Sequence, residues 1–147
     1  MQINQTDKKI LNSLIKNSKA SFRDIAKDAK CSAVTVMKKI HMMQKCGLIK
    51  KYSVVLDYEK IGFDVTVIID VRVSKGKLFL VEKKIATHPN VMSVYDNTGE
   101  YDVSVIAKFK SRASMDLFLK NLQSYEFVER TQTKLVLNTI KEENIEV

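Results

Sequence analysis

Apolar residues recur through the first third of the chain with the spacing of short amphipathic helices. Ile10, Leu11, Leu14 and Ile15 fall at i, i+1, i+4 and i+5, which predicts a helix that starts at Thr6–Asp7 and ends near Asn17–Lys19. Thr6 is placed to cap it, with the Asp7 carboxylate at the positive end of the helix dipole. Phe22, Ile25, Ala26 and Ala29 form the stripe of a second helix behind Ser21, with Asp24 three residues on as in a capping box. Val36, Ile40 and Met43 recur at i, i+4 and i+7 behind Ser32 and predict a third helix, which Gly47 stops. Only Lys30–Ser32 separate the second helix from the third, the spacing of a helix-turn-helix, although no glycine stands in that turn.

Beyond Gly47 the pattern changes. Leu48 to Asp57 reads as extended, and Asp57–Gly62 as the exit of a linker. From Asp64 the period becomes two: Val65, Val67, Ile69, Val71 and Val73 face one way, and Thr66, Ile68, Asp70 and Arg72 the other. Leu78–Ala86 is expected to be helical until His88-Pro89-Asn90 breaks it. Val91–Asn97 and Tyr101–Phe109 read as strands joined by a turn at Thr98-Gly99-Glu100. Met115, Leu117, Phe118, Leu119 and Leu122 mark another helix, and a final strand lies within Val128–Ile140. The fold class is therefore α+β. An N-terminal helix-turn-helix domain, winged-helix-like, covers residues 1–50, an extended linker 51–63, and a ferredoxin-like βαββαβ domain 64–147. In that topology both helices cover one face of an antiparallel sheet. The other face carries Ile68 and Ile106 among polar residues, so a homodimer with two such faces packed together is expected.

Charge sharpens this division. Residues 1–56 carry twelve Lys/Arg against Asp7, Asp24 and Asp28, a net +9, whereas residues 57–147 carry thirteen against fourteen acidic residues, a net −1. A positive field gathered on one small domain suits a polyanion such as double-stranded DNA, because each neutralised phosphate releases counterions. The start of the chain, Met1–Lys9, is polar and lacks a signal peptide's apolar core, and no apolar run of about 18 residues is present. A cytoplasmic protein without a membrane partner is expected. Cys31 and Cys46 are too few for a disulfide framework and read as reduced thiols.

The third helix can be resolved by angle, at about 100° per residue. Val36, Ile40 and Met43 make one narrow stripe. Val34, Lys38, His41 and Lys45 lie opposite, with Thr35, Met37 and Lys39 on the flanks. In a helix-turn-helix the outward residues of the second helix reach base edges, and its N-terminal amides hold phosphate. Lys38 and His41 are thus candidates for base-edge contacts, and Ser32, Thr35 and Lys39 for phosphates. Enzymatic constellations are thin. His41 and His88 stand at no metal-ligand spacing, and neither a Gly-rich phosphate loop nor a G-x-S-x-G elbow occurs. No enzyme, metal or cofactor is expected. Gly99-Glu100-Tyr101-Asp102, between two strands, reads by itself as a hairpin turn.

Taken in order, these residues resemble the leucine-responsive/asparagine (Lrp/AsnC) family of regulators. Asp7-Lys8-Lys9-Ile10-Leu11 is similar to its first-helix start. Ser32, Thr35-Val36, Lys39-Ile40, Met43 and Gly47-Leu48-Ile49 with Tyr52 are similar to its recognition-helix signature, with Lys39 where the family usually has arginine. Ile61-Gly62, Pro89-x-Val91 and Gly99-Glu100-Tyr101-Asp102 carry the likeness through the rest of the chain, from about residue 6 to 141. The resemblance implies a transcription regulator that forms dimers through the βαββαβ domain and commonly tetramers or octamers. It also implies a small amino-acid effector beside Gly99–Asp102, with Gly99 admitting the ligand to backbone groups, Asp102 meeting its amino group and Tyr101 between them. Thr131 and Thr133 match positions that often line the same pocket. Proteins similar to this family also include sirohaem decarboxylases, so an enzyme on the same scaffold is one alternative. A sensing module without DNA binding is another.

Overall fold

The computed structural model describes residues 2–147, which form two compact units. One comprises the residues through Val55 together with Lys141–Val147, the other Leu56–Ile140.

The first unit holds helices α1 (Gln5–Lys16), α2 (Phe22–Ala29) and α3 (Ala33–Lys45). Ile10, Ile25, Ala26, Ala29, Val36 and Ile40 form its core. Ser21 and Ser32 cap α2 and α3, each accepting the backbone N–H three residues on. The cap of α1 is Asn4, two residues before the expected Thr6. Asn4 Oδ1 accepts the Asp7 N–H at 2.9 Å while Asp7 Oδ2 accepts the Asn4 N–H at 3.0 Å, a reciprocal box that no hydroxyl at position 6 could close. The turn without glycine is made by Lys30, the C-cap of α2, which adopts the left-handed conformation at φ 53°. At the far end of the sequence, Asn12 bonds both ways with the Val147 backbone, at 3.0 and 2.8 Å, and holds that segment on α1.

One polar contact ties this unit together from inside. The Asp7 carboxylate, 1% exposed, lies 2.6 Å from the Lys39 ammonium, so the first turn of α1 is joined to the middle of α3. Burial works against the Asp7 charge. Hydrogen bonds from Lys39 and the Asn4 amide outweigh it, and the carboxyl sits below its ordinary value.

The second unit is a four-stranded sheet in the order β2-β3-β1-β4, with β1 Val65–Val73, β2 Val91–Asp96, β3 Val103–Phe109 and β4 Val128–Leu135. Every neighbouring pair is antiparallel; Ile69 sits opposite Val105 on one side and Thr133 on the other. Helices α4 (Leu78–Ala86) and α5 (Arg112–Gln123) close the core through Val81, Ile85, Phe118 and Leu122 against Val67, Ile69, Val71, Val105 and Phe109. This is the βαββαβ arrangement expected from the order of helices and strands along the chain. Thr66, Ile68, Asp70 and Arg72 point to the face opposite the buried valines, as do Ser104 and Ile106 across from them in β3. The centre of that face is polar. Asp70 accepts hydrogen bonds from Ser104 and Lys134, both at 2.6 Å, and Asn97 in turn donates to Ser104. Burial again opposes the Asp70 charge, and Lys134 and Ser104 overcome it, leaving that carboxyl below its ordinary value.

Two stability measurements test the helical unit. Lys30→Gly removes the penalty of a side chain in the left-handed region and should stabilise the protein by about 1 kcal/mol in urea denaturation. Lys39→Met strands the buried Asp7 carboxylate and should cost about 3 kcal/mol at neutral pH, whereas Lys39→Met combined with Asp7→Leu should cost far less. A lowered folded-state pKa means that the stability Asp7 contributes is present above the ordinary carboxylate range. It disappears as pH falls through the lowered value, so the difference between wild type and Lys39→Met should shrink in acid.

Candidate nucleic-acid interface and effector loop

The outward surface of α3 follows from what the inward surface buries. Val36, Ile40 and Met43 face the core, and the opposite side presents Val34, Lys38, His41 and Lys45 to solvent. Ser32 stands exposed at the head of the helix. Its Oγ accepts the Thr35 N–H at 3.0 Å and lies 2.8 Å from Thr35 Oγ1, and only the Ala33 and Val34 amides at the head of α3 are left without a capping partner among the described residues. An anion can use such amides.

The five residues expected at DNA therefore divide. Ser32, Lys38 and His41 share the open surface, and Lys38 makes no ion pair among the described residues. Thr35 is half-buried and engaged with Ser32. Lys39, expected at a phosphate, is instead drawn back to Asp7, with its side chain only 21% exposed. One residue, 100° of helix, decides which of two adjacent lysines is available. Two further cations of the unit are also engaged, Lys16 with Glu146 at 3.4 Å and Lys27 with Asp24 at 3.6 Å.

In the second unit the segment Asn97–Asp102 joins β2 to β3. Gly99 has φ +118°, and a Cβ there would meet nothing within 4 Å, so backbone conformation rather than space calls for glycine. Asp102 closes the loop. Its Oδ2 accepts the Val73 N–H at 2.7 Å, its own N–H donates to the Val71 carbonyl at 3.0 Å, and its carbonyl accepts the Asn97 N–H at 2.8 Å. Thr131 flanks the same stretch of β1 from the other side, opposite Val71, and its Oγ1 accepts from Gln123 at 2.9 Å. Thr133 follows opposite Ile69. Tyr101 lies half-buried with the Arg130 guanidinium 5.8 Å from its ring centre.

Spacing in the sequence did not single out the residues that hold this loop. Arg72 donates to the Glu100 carbonyl at 2.9 Å, and Arg130 reaches the Glu100 carboxylate at 3.3 Å. The alternation of β1 puts Arg72 on the right face, but only the folded sheet brings Glu100 to it. His88, the one histidine of this unit, stacks edge-on against Phe118 at 4.6 Å, and its Nδ1 accepts the Asn90 N–H. Both contacts are those of a packing residue.

Comparisons with known proteins match one family model to the helices and another to the sheet domain. Residues 3–44 match the AsnC-type helix-turn-helix domain, and residues 66–145 match the Lrp/AsnC ligand binding domain. An uncharacterized HTH-type transcriptional regulator from Pyrococcus horikoshii is 41% identical over 143 residues, which cover 97% of each chain. Among solved structures, E. coli AsnC superposes with a TM-score of 0.91 at 22% identity over the whole of both chains. A Neisseria meningitidis transcriptional regulator solved as its L-Met complex gives 0.88 at 23% identity, over 97% of this chain and 94% of that one. At such identities the two structures speak for the fold.

Proposed function

The chain belongs to the Lrp/AsnC family of helix-turn-helix transcriptional regulators, and we propose that it recognises a specific operator through the outward face of α3 as a dimer or larger homo-oligomer. One observation carries this. The positive excess of the sequence lies in residues 1–56, whose α3 presents Lys38 and His41 away from the core, beside the Ala33 and Val34 amides behind Ser32. Phosphates supply much of the affinity, and base edges supply the choice of site. Ser32 and Lys38 serve the first role, His41 the second, and Thr35 supports Ser32. Lys39 acts through Asp7, by fixing the rotation of α3, so it is a positioning residue. Two copies paired through the open sheet face, where Ile68 and Ile106 flank Asp70, would supply the two α3 helices that an operator with half-sites a turn or a multiple of a turn apart requires.

The effector reading rests on the loop. Gly99 leaves backbone groups approachable, and Asp102 Oδ1 takes no hydrogen bond among the described residues while Oδ2 is fixed by the Val73 N–H, which suits an ammonium group. The match to a ligand binding domain and the L-Met complex of the Neisseria regulator support a small amino acid as the ligand. Tyr101, Thr131 and Thr133 then border it.

Two experiments test these assignments. Operator fragments are first selected from genomic DNA with the full-length protein. Lys38→Ala should reduce the slope of log affinity against log salt by about 1, whereas Lys39→Ala should lower affinity and leave the slope unchanged. Equal slope changes would return Lys39 to the phosphates. For the effector, titration with the twenty amino acids should find heat for at least one. Asp102→Asn, which keeps an acceptor for the Val73 N–H and loses the charge, should then weaken that ligand at least tenfold. Coupling is reciprocal, so operator DNA should shift the same affinity. No heat with any amino acid would leave the loop a plain hairpin.

A further inference from the structure

We infer that Val34 and Met37 read the 5-methyl groups of thymine in the operator, an assignment that rests on α3 entering the major groove. Val34, Met37, Lys38 and His41 stand at i, i+3, i+4 and i+7, so they form one continuous stripe along the helix. Val34 is 56% exposed and Met37 47%, and neither belongs to the core on the opposite side. A single exposed apolar side chain is ordinary. The position of these two is what matters. They occupy the first two turns of α3, the part of a recognition helix that reaches base edges, and they adjoin Lys38, which holds the backbone.

The chemistry of the groove then narrows the partner. Valine and methionine offer no donor, and the Met thioether is at most a weak acceptor, so neither can read the donor–acceptor pattern of guanine, cytosine or adenine. The thymine 5-methyl is the one apolar group that a base pair presents in the major groove. Lys38, next to both on the stripe and free of any ion pair among the described residues, keeps the apolar pair against the duplex by meeting a phosphate. The stripe therefore selects A·T pairs with thymine on the strand nearest α3, at one or two positions in each half-site. Polar readout at those positions would need different side chains.

The test replaces thymine by deoxyuridine, one position at a time, in an operator selected with the full-length protein. Uracil deletes the methyl and leaves every base-pairing and groove hydrogen bond intact. Wild-type affinity should fall about fourfold at each position that is read, the loss expected for one buried methyl. Val34→Ala should abolish the penalty at one position and Met37→Ala at another, while each variant keeps the remaining penalty. Both side chains are exposed, so the variants should fold as wild type does, which circular dichroism checks. Specific binding with no uracil penalty anywhere would overturn this inference and leave the regulator reading standing. Penalties that persist unchanged in both variants would also overturn it. Binding with no sequence preference would instead sink the regulator reading itself.

Discussion

The Asp7 carboxylate holds the Lys39 ammonium at 2.6 Å beneath the surface of the helical unit, and what α3 offers to a duplex depends on that contact. A helix packed only by Val36, Ile40 and Met43 could roll by a fraction of a turn, because apolar contact is non-directional. A buried ion pair cannot follow such a roll without exposing or stranding its charges. The desolvation cost of such a pair means that it adds little net stability over an apolar replacement. Its contribution here is orientation. With Lys39 fixed inward, Val34, Met37, Lys38 and His41 are fixed outward, because all belong to one rigid cylinder. The same carboxylate closes the capping box with Asn4, so the start of α1 and the rotation of α3 are set by one group.

The sheet unit uses a related device on a flat surface. Alternation in β1 buries Val67, Ile69 and Val71 under α4 and α5 and leaves Thr66, Ile68, Asp70 and Arg72 on the other side. A wholly apolar open face would adhere to many surfaces. This one carries Asp70 at its centre, satisfied by Ser104 and Lys134, with Ile68 and Ile106 as neighbours. Any partner on this face, such as the second copy we propose, would have to match a defined polar pattern as well as cover apolar area. Toward one end of the same sheet, Arg72 and Arg130 grip Glu100 and shape the loop that runs from Gly99 to Asp102. Rigid strands thus present a loop that would otherwise be free to collapse on itself.

What could be read from the sequence was whatever repeats along one element. The period of two in β1, the three apolar stripes and the serine caps at Ser21 and Ser32 each concern residues within a few positions of one another. Helical angle alone separated Lys38 from the core. The failures are those of reach. Asn4 competes with Thr6 for the start of α1 and wins because Asp7 can answer it. A long side chain such as Lys39 can turn back to a carboxylate thirty-two positions away, which no local spacing encodes. Arg72 meets Glu100 and Arg130 meets Tyr101 only once β3 and β4 have both paired with β1. The absence of glycine at the helix-turn-helix was legible, but that Lys30 itself would take the left-handed conformation was not.

Net charge and available charge are therefore different quantities in this protein. The +9 of residues 1–56 suggests many phosphate contacts. Yet Lys39 neutralises a buried carboxylate, Lys27 pairs with Asp24, and Lys16 is met by Glu146 from the other end of the sequence. Counterions are released only by cations that reach a phosphate, so the salt dependence of binding should follow the outward subset and not the total. The long-range field still reflects the whole unit, which keeps a net +7 once Lys141, Glu142, Glu143 and Glu146 are counted with residues 1–55, because pairing shifts charge locally without removing that excess. Such a unit can attract a duplex with its full charge and grip it with fewer residues. The remaining outward surface of α3 is then left to Val34, Met37 and His41, the side chains to which we assign base reading.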